Sequence, residues 1–310
     1  MTTQTTTLPP IDPLGSQVPG AYRDDLVVVR RGAAVRGRRV LGAVRTDHFD
    51  LLRHDSRIEL VHHVPPERLD DDLAGVLSEE LFGPGWLRGI DLFERLFTGI
   101  VRSSAADPVD GWLTFYRNTL ARIAHAVDHP PAVPASPPPS QGGHGTIAGY
   151  APVYAHAESL LAPGSVLELG ACFGFLSLRL ALAGRDVTAS DVSPGTVHLL
   201  EAIAPRLDLR LGTEVADAAR YPADDGAADT VLVIHLLEHL DPDHGDRVVD
   251  EALRLAARRV VVAVPLEPEA DETYGHLRTV SLADLDRWGR RTGCRYDVHE
   301  HHGGWLVIDR

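Results

Sequence analysis

At 310 residues the chain is long enough for one large domain, or for one domain with a substantial extension. A formal charge of -14 argues against a non-specific nucleic-acid binder, which needs a basic surface to release counterions. All 30 basic residues are Arg, and without Lys the Schiff-base, pyridoxal-phosphate and Walker-type nucleotide chemistries are excluded or strongly disfavoured.

Residues 1–20, rich in Thr, Pro and small residues, have neither a basic leader nor an apolar core segment and read as a disordered tail rather than a signal peptide. No apolar run approaches the ~20 residues of a membrane helix. The two cysteines, Cys172 and Cys294, do not suggest a disulfide framework. The expectation is a cytoplasmic protein with no membrane and no nucleic-acid partner.

Residues 21–128 predict a small α+β module, with strands at 26–29, 40–44 and 57–60 and helical stretches near 71–81, 86–101 and 112–127. No catalytic motif stands out there, and the pair His62-His63 reads as surface rather than ligand. Such a module shapes substrate access or forms a homo-oligomer. Residues 129–145 are proline-rich, then glycine-rich, and cannot continue a helix or central strand, so they read as a linker.

The remainder, 146–310, is the acidic part, with 15 Arg against 26 Asp and Glu, net -11; residues 1–145 hold 15 Arg and 18 acids, net -3. A neutral or cationic small substrate suits that surface better than a polyanion. A covering helix is expected over 146–161, carrying Tyr150, Tyr154 and His156. Next come a strand over 166–169, a turn holding Gly170, Cys172 and Gly174, a helix over 174–183 and a strand over 186–190 that ends at Asp191. Ser193 and Pro194 follow as N-cap and first residue of another helix. A third strand is placed at 208–211, a fourth at 229–234, a helix at 243–257 and a fifth strand at 260–264. The end predicts a helix over 281–291 and strands at 295–298 and 305–308 around Gly303-Gly304.

A buried strand, a glycine-bearing turn, a helix start and an acid seventeen positions past Gly174 are the parts that hold an adenosine-containing cofactor. The spacing Glu168-x-Gly170-x-x-x-Gly174 resembles the first motif of the class I S-adenosylmethionine (SAM) methyltransferases, D/E-x-G-x-G-x-G, with Cys172 in place of the middle glycine. The resemblance covers about 146–310. It implies an α/β fold, a Rossmann-like seven-stranded sheet finished by an antiparallel hairpin, preceded here by the smaller α+β module. It also implies SAM contacts from Tyr150, Tyr154, Glu168, Gly170, Cys172, Gly174, Asp191 (ribose), Val192, Asp217 with Ala218 (adenine) and His235.

Beside the methyl group, at the end of strand four, the chain reads His235-Leu236-Leu237-Glu238-His239. Three readings stand. The residues cap a strand and start a helix; or they form an H-x-x-E-H protease pattern, which belongs inside a helix; or they hold a metal. The last resembles the E-x-x-E-H site of ubiquinone-type and small-RNA 2′-O-methyltransferases, and His276 matches the further histidine of the latter. The implied metal ligands are His235, Glu238, His239 and His276, a set suited to zinc or another divalent ion of the Mg/Mn kind. Without a metal, His235 or His239 acts as base, and His276 joins the catalytic set.

The overall layout resembles the actinobacterial mycofactocin oligosaccharide methyltransferases, which implies O-methylation of a sugar hydroxyl in an oligoglucose chain. Two alternatives are a methyltransferase for a quinone-like phenol or carbon acid, and a non-catalytic SAM-fold partner of a biosynthetic complex.

Overall fold

The computed structural model describes residues 10–15, 18–32, 42–54, 57–130, 147–271 and 274–310. The expected linker from residue 131 onward and most of the expected tail lie outside these residues. Among the described residues no helix is long and apolar enough to cross a membrane.

The front part builds a five-stranded sheet from β1 (Ala21–Arg23), β2 (Val27–Arg31), β3 (Val44–Arg45), β4 (Phe49–Arg53) and β5 (Ile58–His62), in the order β1-β2-β5-β4-β3. Strands β1 and β4 are additions to the sequence expectation. In β4 the pattern Phe49-Asp50-Leu51-Leu52-Arg53 buries Phe49 and Leu51 on one face, as a half-buried strand must. Helix α1 (Leu73–Leu77) runs into a wider π turn at Ser78–Phe82, and α2 (Ile90–Ser103) packs on β1 and β2. The expected start of α2 at Trp86 is corrected, because Gly89 adopts φ +96, a backbone state that cannot continue a helix upstream. Helix α3 (Pro108–Asp128) starts on Asp107, whose side chain accepts from Val109 N.

His62 is a correction to the surface reading. It is fully buried, with Nε2 3.1 Å from Ser103 Oγ on α2, and burial pushes its pKa down to about 3. Its neighbour His63 faces the other side of the strand and meets Asp50 at 3.1 Å. The pair therefore serves packing, one residue to each face.

The second part begins with α4 (Ile147–Ser159) and continues as β6 (Val166–Leu169), α5 (Phe175–Leu182), β7 (Val187–Asp191), α6 (Pro194–Ile203), β8 (Gly212–Val215), β9 (Ala228–Ile234), α7 (Pro242–Leu255), β10 (Ala256–Val264), α8 (Leu282–Thr292), β11 (Arg295–Glu300) and β12 (Gly304–Asp309). The seven-stranded sheet has the order β11-β12-β10-β9-β6-β7-β8. All neighbours from β8 to β10 are parallel, and β12 is antiparallel to both β10 and β11. This is the arrangement expected of the class I methyltransferase fold. Its centre is buried on both faces, as in the apolar run Val260–Val264 of β10 and in β6, where Glu168 is the one charged residue, because helices cover both sides.

The third strand lies four residues later than expected. Residues Ala204–Leu207 form a 3-10 turn, and Asp208 closes it with φ +58, so extended structure starts only at Gly212. The chain order reverses between β6 and β9, which puts a crevice at the carboxyl ends of β6, β7 and β9. The front part covers one side of that crevice through an aromatic cluster, in which Phe97, Trp112 and Phe115 stand 5.5, 5.7 and 5.9 Å from Phe173 of the β6–α5 turn.

Candidate active site

The turn after β6 is built from left-handed backbone. Gly170, Cys172 and Gly174 have φ of +71, +49 and +67. A Cβ on Gly170 would lie 2.7 Å from Leu236 Cδ1, and one on Gly174 2.7 Å from Leu200 Cδ2, so at these positive φ values a side chain would be strained and would have to push a leucine aside. Cys172 holds the same conformation with a side chain, at a cost of about 1–2 kcal/mol. The space is available because its side chain retains accessible surface, and the surrounding protein still desolvates the thiol enough to raise its pKa. Both features describe a side chain lining a recess.

Asp191, at the end of β7, fixes the turn. One carboxylate oxygen accepts from Cys172 N at 2.9 Å and the other from Ser193 N at 2.9 Å. Beyond it the side chains turn apolar and open: Val192 is 71% exposed and Val215, at the end of β8, is 40% exposed. Asp217 follows, its carboxylate accepting from Ala219 N at 2.9 Å and meeting His244 Nε2 at 2.9 Å; Ala218 is half-buried. Two exposed valines and an acid thus stand together at the sheet's carboxyl edge. Glu168 is turned elsewhere, its carboxylate accepting from Ser177 Oγ of α5 at 2.5 Å, and burial pushes its pKa up to about 7.

The other wall carries the titratable groups. His235 ends β9 with φ +52, held by its N–H to Ala263 O at 2.9 Å. The Tyr150 ring stands 5.5 Å from its ring, and Tyr154 stacks on Tyr150 at 5.7 Å. His235 Nδ1 lies 3.7 Å from Glu238 Oε1. Leu237–His239 form a 3-10 turn, and α7 starts only at Pro242, so Glu238 and His239 precede the helix rather than begin it.

Glu238, His239 and His276 offer ligand atoms that all lie within 4.8 Å of one another. The expected fourth member, His235, stands beside this group rather than within it. Glu238 is 1% exposed and neither carboxylate oxygen has a hydrogen-bond partner among the described residues; burial pushes its pKa up to about 7. An acid so placed is costly unless a cation joins it. The two imidazoles are oriented for one. His239 Nδ1 lies 3.2 Å from Gly275 O, and because a carbonyl only accepts, Nδ1 carries the proton and Nε2 is left with its lone pair. Burial, then His276, lowers the His239 pKa, which keeps the ring neutral. His276 Nδ1 donates to Glu267 at 2.7 Å; burial opposes its charge, but Glu267 outweighs burial and raises its pKa. A carboxylate on the far nitrogen of an imidazole is the usual outer partner of a metal-ligating histidine. These residues therefore fit a divalent ion.

Sequence reasoning missed Glu267, Tyr274 and His244. Glu267 follows the end of β10 by three residues, a strand-end acid like Asp191, and that position was a usable signal. Tyr274, 5.8 Å from Phe93 and 6.5 Å from His276, had none, since its role depends on the front part reaching over.

Residues 166–258 match the family described as methyltransferase domain. An uncharacterized methyltransferase of Mycobacterium tuberculosis (strain H37Rv) is 38% identical over 93 residues, which is 30% of this chain and 37% of that protein. Ajmaline N-methyltransferase of Rauvolfia serpentina is 29% identical over 106 residues, 33% of this chain and 35% of that one. The chain thus matches little more than a third of the length of these curated relatives. Among solved structures, a SAM-dependent methyltransferase of Methanosarcina mazei aligns with TM-score 0.44 and 16% identity, over 50% of this chain and 96% of that one. Magnesium protoporphyrin IX methyltransferase of Synechocystis with bound SAM aligns with TM-score 0.40 and 22% identity, over 51% and 76%.

Proposed function

We propose that this chain is a SAM-dependent O-methyltransferase acting on a hydroxyl of a neutral acceptor, with a sugar of an oligoglucose chain as the acceptor class. The observation that carries the reading is the juxtaposition, at one sheet edge, of the Gly170–Gly174 turn with Asp191 and the Glu238, His239 and His276 group. The turn is a cradle for an adenosine cofactor, and the group beside it suits activation of an oxygen nucleophile.

In this reading Gly170, Cys172 and Gly174 bring backbone against the donor, Asp191 meets the ribose, and Val192, Asp217 and Ala218 border the adenine. Tyr150 and Tyr154 cover it from α4. Transfer is an in-line displacement, in which acceptor oxygen bonds to the methyl carbon, the carbon–sulfur bond breaks and the sulfonium leaves as a neutral thioether. The hydroxyl proton needs an acceptor. His235 takes it, with Glu238 3.7 Å away to stabilise the imidazolium. Glu238, His239 and His276 would hold a divalent ion, which when bound would supply Lewis-acid chemistry at the acceptor hydroxyl.

The test is transfer of labelled methyl from SAM to glucan and phenolic acceptors, with and without chelation, alongside calorimetry of SAM binding. Labelled glucan whose formation stops on chelation supports the whole reading. Full activity without metal leaves His235 or His239 as plain base. Transfer only to phenols replaces the acceptor class, and SAM binding without turnover on any acceptor favours the non-catalytic role.

A further inference from the structure

Besides Tyr150 and Tyr154, helix α4 carries His156, which meets the edge of the sheet where β11 runs out through His299-Glu300 into His301-His302. His156 Nε2 lies 2.7 Å from His299 Nε2, with the two rings at 88°. The His301 ring stacks on His156, centroids 4.3 Å apart. Strand β11 is three strand steps from β9, on the order of 14 Å, so this pair is separate from Glu238, His239 and His276.

Asp297 Oδ2 stands 2.6 Å from His299 Nδ1. A carboxylate only accepts, so Nδ1 carries the proton, and the neutral ring is left with its lone pair on Nε2, the atom that faces His156. A carboxylate on the far nitrogen is also the usual outer partner of a metal-ligating histidine. Burial, then His301 and His299, pushes the His156 pKa down to about 4, which keeps that ring neutral at pH 7. Both rings are rooted in fixed backbone. His299 pairs with Trp305 across β11 and β12, and the fully buried Trp305 ring stands 4.6 Å from His156 at 87°. Trp305 Nε1 donates to His301 O at 2.7 Å and so holds the turn that follows. Two imidazole nitrogens from separate elements are thus brought together by the fold itself.

Their separation selects the kind of ion. An ion bonded to both nitrogens at about 2.0–2.1 Å sets them about 2.9 Å apart at a right angle and about 3.4 Å apart at the tetrahedral angle. The observed 2.7 Å is near the first value and well short of the second. Right-angled nitrogen pairs belong to tetragonal copper(II) and nickel(II), whereas zinc takes the tetrahedron. Both rings are only half-buried, which leaves room for water at the remaining positions.

We propose that His156 and His299 form a second cation site, for a tetragonal transition-metal ion of the copper(II) or nickel(II) kind, which ties α4 to the edge of the sheet. This does not depend on SAM binding or on the Glu238 group. The test is equilibrium dialysis of the untagged full chain against nickel(II) alone, followed by metal analysis, on the unaltered protein and on His156→Gln, His299→Gln, Asp297→Asn and Glu238→Gln. Each histidine substitution is expected to lower the count by one ion per chain and to shrink the rise in melting temperature that nickel gives the unaltered protein. Asp297→Asn, which leaves both rings in place on an exposed side chain, is expected to weaken nickel about 10- to 100-fold at this site. Glu238→Gln is expected to keep this ion. Unchanged nickel binding in His156→Gln, His299→Gln and Asp297→Asn would overturn the proposal. Loss in only one histidine variant would overturn it as well, because the ion would then rest on a single imidazole. So would loss in Glu238→Gln alone, which would assign the ion to the other group.

Discussion

Glu168 opens the proposed donor motif, yet its side chain is turned onto Ser177 of α5, and Glu168→Gln separates these two roles. Its pKa rises from 4.5 to about 7, first through burial and then against the help of Ser177. The sign follows from proton counting. Between those values the folded state holds a proton that the unfolded state has released, so stability falls as pH rises from about 4.5 to about 7 and is flat above. A rise of that size corresponds to about 3 kcal/mol of destabilisation at pH 8, at ~1.4 kcal/mol per unit, and about 1 kcal/mol at pH 5. Gln keeps the shape and an acceptor for Ser177 Oγ without the charge. The variant is therefore expected to melt about 4–8 °C further above the unaltered protein at pH 8 than at pH 5, using ~2–4 °C per kcal/mol. Thermal melts at both pH values measure this, and SAM calorimetry is expected to show an affinity within a few fold of the parent. An equal melting gap at both pH values would refute the argument that a buried titrating carboxylate sits there. A collapse of SAM affinity with melting unaffected would show that Glu168 is a ligand after all.

Gly170→Ala places a Cβ 2.7 Å from Leu236 Cδ1 at φ +71, and a loss of about 1–3 kcal/mol in unfolding free energy is expected together with weaker SAM binding. Cys172, its thiol pKa raised mainly by burial, should alkylate more slowly than Cys294 at pH 8 despite its accessible surface, and more slowly still with SAM present; peptide mass spectrometry follows both sites. Glu267→Gln keeps a hydrogen bond to His276 but weakens the imidazole as a ligand, so metal affinity measured by competition with a chelating dye should fall about 10- to 100-fold while the melting temperature barely moves.

How much of this was legible before the structure depended on whether a residue's role is local. The strands Val166–Leu169 and Val187–Asp191 and the N-cap Ser193 are set by burial period and by hydrogen bonds a few residues away, and all could be read. Strand β8 could not, because Gly212-Thr213-Glu214-Val215 is an exposed edge with no apolar pattern, and the alternating 208–211 drew the assignment instead. The Glu238, His239 and His276 group was read from a motif plus one distant histidine. The displacement of His235 from it was not legible, since it follows from the φ of +52 that turns the chain after β9. His62 shows the same limit from the other side: two adjacent histidines look alike in sequence, and only the sheet assigns one to a core and one to its rim.

The front part raises a larger point about where the functional unit ends. The family match stops at 258 and the sheet at 309, yet the turn proposed to cradle the donor is not finished by either. Phe173 and Phe175 flank Gly174, and their rings lie on Phe97, Phe115, Trp112 and Tyr116, all supplied by residues before the linker. A buried aromatic hides about 150–250 Å² and each Å² is worth ~25 cal/mol, so baring part of two such rings costs on the order of several kcal/mol. That is a large fraction of the margin of an ordinary domain. The conformation of the Cys172 turn, already strained at φ +49, is thus held from outside the methyltransferase sheet. The same contact seats Tyr116 against Phe175 beside the turn, so under the proposed function the front part is a wall of the donor site rather than a separable attachment.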